Sequence, residues 1–245
     1  MITLVHSDCL DPQNGLAVWP DLTFDCAITD PPYSERTQNK HRVGGNGGKP
    51  SRPKEIGFAP LTDEVREGVA YHFARLVRRW VLVFTDDRGI QPWADALQAN
   101  GLEWIRTIVW IKVAGTPQFT GDRPANGAEY IMLAHRRGSK IWNGGGKAGV
   151  YWYRPVRGQA KNPRLHDAQK PILLMSELVK DFTLPGESVL DPFAGAGTTL
   201  MSCKRHGRDA IGYESDFEIA EVARRRLECE VVSEPTVERK GARGE

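Results

Sequence analysis

Long apolar runs, paired cysteines and net charge are all scarce in this 245-residue chain. No uninterrupted apolar stretch approaches the roughly 20 residues that span a bilayer. The opening MITLVHSDCL has neither the basic start nor the apolar centre of a secretory leader, so a cytoplasmic protein without a membrane partner is expected. The four cysteines, Cys9, Cys26, Cys203 and Cys229, are scattered, with no CxxC pair and no histidine at ligand spacing. That argues against a metal site and a disulfide framework and leaves them as small buried hydrophobes. A net charge of only +2 says little about partners. Hydrophobic residues at 40%, charged residues at 26% and a mean hydropathy of −0.44 exclude a disordered or fibrous chain. The length suits one large domain with an embedded subregion.

The charge is unevenly placed. Residues 136–164 carry eight Lys/Arg and no Asp or Glu, and residues 34–56 carry six against two, so these stretches hold +8 and +4 and the remainder sums to −10. The 34–56 segment, centred on Gly44-Gly45-Asn46-Gly47-Gly48, reads as a long mobile loop. It is not a phosphate loop: Pro50 stands where Ser or Thr must follow the lysine, and no strand precedes it.

Hydrophobic periodicity supplies the elements. Strands are expected at 2–5, at 25–29 (closed by Asp30-Pro31-Pro32), at 80–84, 104–113, 129–134, 188–191 and 210–213. Helices are expected from Thr62 to Arg79, near 90–100, from Ile172 to Phe182, from Thr198, and from Ser215 with Glu218 completing a capping box and Ile219, Val222, Ala223 and Leu227 facing inward. The basic segment 136–164 shows no helical period, and the tail from Ser233 is polar. Strands alternating with helices predict a doubly wound, mostly parallel α/β sheet.

Two motifs carry chemistry. Asp191-Pro192-Phe193-Ala194-Gly195-Ala196-Gly197-Thr198-Thr199 joins a strand to a helix, where glycines admit a ligand to the backbone and the helix start offers N–H donors. Glu214 closes the next strand, placed to accept hydrogen bonds from two ribose hydroxyls. Leu200 stands where a dinucleotide site would want a third glycine, so an adenosine-type cofactor is favoured over NAD or FAD. Thr29-Asp30-Pro31-Pro32-Tyr33 lies at a strand's carboxyl end. Its stiff backbone presents the Asp30 carboxylate and the Pro31 carbonyl as neighbouring acceptors for an amino group, with Tyr33 as a stacking face for a planar ring. The bland alternatives are a tight βα turn for the first motif and a structural turn for the second.

Together, Asp30-Pro31-Pro32-Tyr33, the 191–198 loop and His166-Asp167-Ala168-Gln169-Lys170-Pro171 resemble the beta class of amino-group DNA methyltransferases, in that class's order. Asp167 departs from the more usual proline of the H-x-x-Q-K-P segment. The resemblance implies a Rossmann-like fold binding S-adenosylmethionine (AdoMet). The expected domain covers 1–232: an acceptor half at 1–111, a basic target-recognition region at about 112–165 and a cofactor half at 166–232, followed by a polar tail at 233–245. It further implies that Asp191, Phe193, Gly195 and Gly197 line the methionine moiety, that Ala194 and Thr198 also belong to the cofactor site, that Glu214 holds the ribose, that Lys170 and Pro171 border the methionine tail, and that Asp8 lies near the adenine. A plain surface turn remains the alternative for Asp8. Asp30, Pro31, Pro32 and Tyr33 would form the target-base site.

An adenine N6 amine is a poor nucleophile because its lone pair is delocalised into the ring. Hydrogen bonds to Asp30 and the Pro31 carbonyl favour the pyramidal form, and the sulfonium methyl then transfers in line to a flipped base. Asp before Pro-Pro-Tyr tilts the resemblance toward adenine N6, with cytosine N4 as the alternative. A DNA-binding module that has lost catalysis would show a damaged motif, and both are intact. Arg136, Arg137, Lys140, Lys147, Arg154, Arg157, Lys161 and Arg164, with Trp142, Tyr151, Trp152 and Tyr153, are the expected contacts to double-stranded DNA. The resemblance points to restriction-modification chemistry, with a solitary enzyme as the open alternative; no nuclease motif is present, and a homodimer is left open.

Overall fold

The computed structural model describes residues 1–33, 61–115, 117–118, 121–156 and 169–229. The 34–56 loop, His166 to Ala168, Arg157, Lys161, Arg164 and the tail lie outside the described residues.

Among the described residues eight strands form one sheet: β1 (Ile2–His6), β2 (Phe24–Thr29), β3 (Val77–Thr85), β4 (Glu103–Lys112), β5 (Ala128–His135), β6 (Val150–Tyr153), β7 (Ser188–Asp191) and β8 (Asp209–Glu214), in the order β1-β8-β7-β2-β3-β5-β4-β6. From β1 to β3 every neighbour is parallel, β5 is antiparallel to both β3 and β4, and β6 returns parallel to β4. The central strands show why. Cys26 to Thr29 and Trp80 to Thr85 are buried on both faces, the continuous apolar pattern of strands covered by helices on each side.

The covering helices are α1 (Asp63–Leu76) and α2 (Ile90–Ala99) on one face, and α3 (Ile172–Phe182), α4 (Thr198–Arg205) and α5 (Phe217–Cys229) on the other. Phe73, Leu76, Trp93 and Leu97 pack beneath Val81, Val83 and Leu190. Leu174, Leu178, Phe182 and Leu200 pack against Ile28, Leu82, Phe84 and Val189. The mostly parallel, doubly wound architecture is as the motif spacing predicts.

Local boundaries differ where two patterns compete. The helix expected to reach Arg79 stops at Leu76, because Val77 pairs with Phe24 of β2 and the Arg136 guanidinium takes the carbonyls of Ala74 and Val77. The last helix is capped by Asp216, whose Oδ1 accepts the Ile219 N–H at 3.0 Å, and not by a Ser215–Glu218 box. Its fully buried residues are Ala220 and Ala223. The basic segment contributes β6, a strand that its glycines conceal, and together with β5 it gives the region 112–165 two strands of the main sheet. Cys9, Cys26 and Cys203 are buried as expected, whereas Cys229 is exposed.

Candidate active site

Parallel order brings the carboxyl ends of β1, β8, β7, β2 and β3 to one edge, so Asp8, Glu214, Asp191 and Asp30 all sit along it. In open α/β sheets this is the edge where ligands bind. The β7 loop is a built cradle. Gly195 and Gly197 adopt φ of +52° and +76°, left-handed values that only glycine takes easily. A Cβ on Gly195 would meet nothing within 4 Å, whereas one on Gly197 would press to 3.2 Å from the Ala223 Cβ. Gly195 is therefore the open wall of the cradle, and Gly197 lets α4 close onto α5. The Ala194 N–H donates to the Tyr213 carbonyl at 2.8 Å, and Arg226 holds the Ala196 carbonyl, so the loop is fixed from both sides.

Glu214 accepts the Gly195 N–H at 3.0 Å through Oε2 and the Asp216 N–H at 2.9 Å through Oε1, and its pKa is nevertheless raised, chiefly by burial. Asp191 is 2% exposed. Its Oδ1 accepts from Thr29 Oγ1 at 2.7 Å and from the Phe193 N–H at 3.1 Å, and burial lifts its pKa to about 6. Thr198 and Ala194 are buried in the loop and Phe193 is half-buried. Asp8 is exposed, and its Oδ1 accepts the Leu10 N–H at 2.8 Å; Ser7 beside it donates to the Glu214 carbonyl, so Asp8 caps a turn next to the cradle.

Asp30 follows β2 directly. Thr29, which anchors Asp191, is its chain neighbour, so the two motifs touch across adjacent strands. Lys170, 8% exposed, sits on the acceptor motif: its Nζ lies 2.5 Å from Asp30 Oδ2 and 3.1 Å from Glu129 Oε2. The Tyr33 hydroxyl lies 3.1 Å from Asp30 Oδ1 and 3.0 Å from Glu129 Oε2. Pro171 is the N-cap of α3, which carries the Lys170 backbone to this edge, and Pro31 is buried beside Asp30. Glu129 and its partner Lys112, at 2.7 Å, escaped sequence reasoning. The signal was a lone acid at the head of the apolar run 128–134. What hid it was strand direction, since only an antiparallel β5 brings its first residues to this edge.

The expected DNA contacts separate into groups. Arg136 is spent on the α1–β3 junction, and Arg137 and Lys140 pair with Glu103. All three follow the far end of β5, roughly 20 Å along the strand from Glu129. Lys147 pairs with Glu177 and with Asp181 at 2.5 Å, and it lies 4.3 Å over the Tyr151 ring. Tyr151 and Tyr153 donate to Asp181 and Glu177, and Trp142 packs on Phe182. Arg154 and Trp152, by contrast, are exposed on and just beyond β6, whose end pairs with Lys112 at the active edge.

Among the described residues no group of His, Cys, Asp and Glu could hold a metal ion, and no helix is long and apolar enough to cross a membrane.

A family model for DNA methylases (N6_N4_Mtase) matches residues 24–225. Type II methyltransferase M2.DpnII of Streptococcus pneumoniae is 29% identical over 147 residues, covering 55% of each chain. Type II methyltransferase M.SmaI of Serratia marcescens is 29% identical over 157 residues, covering 56% of this chain and 51% of its own. The chain thus spans about half the length of these curated relatives. Among solved structures, an M1.HpyAVI–SAM complex aligns with a TM-score of 0.68 at 27% identity, over 93% of this chain and 100% of the other. The PvuII cytosine-N4-specific DNA methyltransferase aligns with a TM-score of 0.70 at 14% identity, over 92% and 86%, a likeness of fold alone.

Proposed function

Because the chain belongs to the N6_N4_Mtase family of DNA methylases, with residues 24–225 matching the family model, we propose that it methylates the exocyclic N6 of adenine in double-stranded DNA, using S-adenosylmethionine. The observation that carries this reading is the contact between the two motifs. Thr29 Oγ1 donates to Asp191 Oδ1 at 2.7 Å, so a cofactor held by the 191–198 loop and an amine held by Asp30 are neighbours across one pair of strands.

The residues fit the cofactor. AdoMet carries a cationic sulfonium and an ammonium, and the cradle supplies two buried carboxylates, Asp191 and Glu214, with open space at Gly195. Asp191, with Phe193, Ala194, Gly195, Gly197 and Thr198, would hold the methionine part. Glu214 would hold the ribose, with Asp8 beside the adenine. When bound, the cofactor supplies an electrophilic methyl group. The chain's own work is placement: Asp30 and the Pro31 carbonyl accept hydrogen bonds from the target amine and localise its lone pair. Pro32 stiffens the turn, and Tyr33 offers its ring to the base. Holding two reactants in attacking geometry accounts for most of the rate in such a reaction.

Adenine is preferred over cytosine because Asp, rather than Ser, precedes Pro-Pro-Tyr. The fold likeness to a cytosine-N4-specific enzyme keeps the second base as the alternative. DNA would lie over the active edge, with Arg154 and Trp152 as the described contacts and Arg157, Lys161 and Arg164 following in the chain. The test is incubation with methyl-labelled AdoMet and unmethylated duplex, followed by digestion to nucleosides. Label in N6-methyladenine is the expected result. Label in N4-methylcytosine would establish the alternative, and absence of label in DNA would refute the reading.

A further inference from the structure

Both oxygens of Asp30 are already engaged, Oδ2 by the Lys170 ammonium at 2.5 Å and Oδ1 by the Tyr33 hydroxyl at 3.1 Å. Each oxygen keeps a second lone pair, but a substrate amine arriving at Asp30 competes with both of these partners for the one carboxylate. The ammonium is a difficult partner to release. Lys170 is 8% exposed, so an unpaired ammonium there would be strongly unfavourable, only partly offset by the Tyr33 and Phe84 rings, whose centres lie 5.4 and 5.2 Å away.

Glu129 resolves the difficulty. It enters from β5, and its Oε2 already lies 3.1 Å from Lys170 Nζ and 3.0 Å from the Tyr33 hydroxyl. Its other oxygen, Oε1, is fixed 2.7 Å from Lys112 on β4. The charges therefore alternate along a row, Lys112, Glu129, Lys170, Asp30, with Tyr33 bridging the two carboxylates. We propose that Glu129 is a positioning residue that takes over the Lys170 ammonium when the target amine claims Asp30, so that the lysine stays paired throughout. The inference rests on the reading that Asp30 accepts that amine.

Electrostatics agrees with the geometry. Burial pushes the Glu129 carboxyl up, but Lys170 and Lys112 more than reverse this and hold it well below the usual range, so it is ionised and ready to receive an ammonium. Asp30 is raised, first by burial and further by the like charge of Glu129, against the pull of Lys170. Asp191 on neighbouring β7 also feels the Asp30 charge. Relieved of the lysine, Asp30 is the more basic carboxylate and the better acceptor for the substrate amine.

The test compares the unmodified enzyme with Glu129→Gln, Lys170→Met and the double variant, measuring methyl transfer to duplex DNA across pH and AdoMet affinity by calorimetry. Glu129→Gln should lower kcat/KM for DNA by roughly tenfold or more, as expected when one member of a buried charge row is removed. AdoMet affinity should stay within about twofold, because the cradle is untouched. The acid limb of the pH profile should move to lower pH, since Asp30 loses a like charge and keeps the ammonium. With Lys170→Met as background the same substitution should have little effect, because no ammonium remains to be relocated. Glu129→Asp, which keeps the charge, should retain the acid limb and most of the rate, and it serves if the glutamine variant fails to fold. An equal loss with and without Lys170, or an acid limb unmoved in Glu129→Gln, overturns the proposal. An unmodified chain that transfers no methyl group to DNA would overturn the functional reading itself.

Discussion

Replacing Asp191 by asparagine should make the unliganded protein more stable at neutral pH while weakening its hold on AdoMet. Asp191 is 2% exposed, and its pKa stands at about 6 against 3.8 for an unperturbed aspartate. The cause is burial, only partly offset by hydrogen bonds from Thr199, Thr29 and Phe193. Between those two values the unfolded chain has released the proton and the folded chain retains it, so stability falls as pH rises through that window and stays lowered above it. A displacement of about 2 units at ~1.36 kcal/mol each amounts to roughly 3 kcal/mol of destabilisation from the ionised carboxylate. Asparagine keeps an Oδ1 for the Thr29 and Phe193 donors and brings no charge. Urea unfolding at about pH 8 should therefore show a gain of about 1–3 kcal/mol, which for this chain length is worth roughly 2–4 °C in Tm per kcal/mol. The gain should shrink steadily as the pH is lowered toward about 3, below both values, where both states are protonated. Calorimetry should show weaker AdoMet binding, because the cofactor's cationic end loses its anion. A gain independent of pH, or a loss of stability at pH 8, would refute the reasoning.

Asp30→Ala should abolish methyl transfer and leave AdoMet affinity nearly unchanged; an equal loss of cofactor binding in calorimetry would contradict the acceptor role. Glu214→Ala should weaken AdoMet binding by about 1.5–3 kcal/mol, the range for hydrogen bonds to a charged group, as read by titration calorimetry. Gly197→Val should reduce both cofactor affinity and stability, since φ is +76° and the added carbon meets Ala223 at 3.2 Å; thermal melts equal to those of the parent would exclude that contact. Arg136→Met should destabilise the fold without changing the salt dependence of DNA binding. Arg154→Gln should do the reverse, lowering the salt slope by about 0.9 if one phosphate contact is lost.

Much of the fold is legible along the chain because periodicity and turn chemistry are local. The Ile172–Phe182 helix and the Ser188–Asp191 strand begin and end where the pattern places them, and Thr62 caps its helix through the Val65 N–H. Where neighbouring patterns merge, the chain is ambiguous. Val77 continues the apolar stripe of α1 and equally suits a strand, and pairing with Phe24 decides between them. Asp216 outcompetes Ser215 as the cap by geometry that no spacing rule ranks.

The two motifs, the strand ends that bear them and the family are legible along the chain, since each depends on residues adjacent in it. Tertiary structure decided which charges were free. Twenty-nine residues without an acid suggested a continuous basic surface, yet Glu103, Glu177 and Asp181 arrive from β4 and α3 to neutralise Arg137, Lys140 and Lys147. In the same way Glu129 reaches Asp30 only because β5 runs antiparallel. Ion pairing depends on distances of a few ångströms in space, and a count along the chain cannot contain partners contributed by other strands and helices.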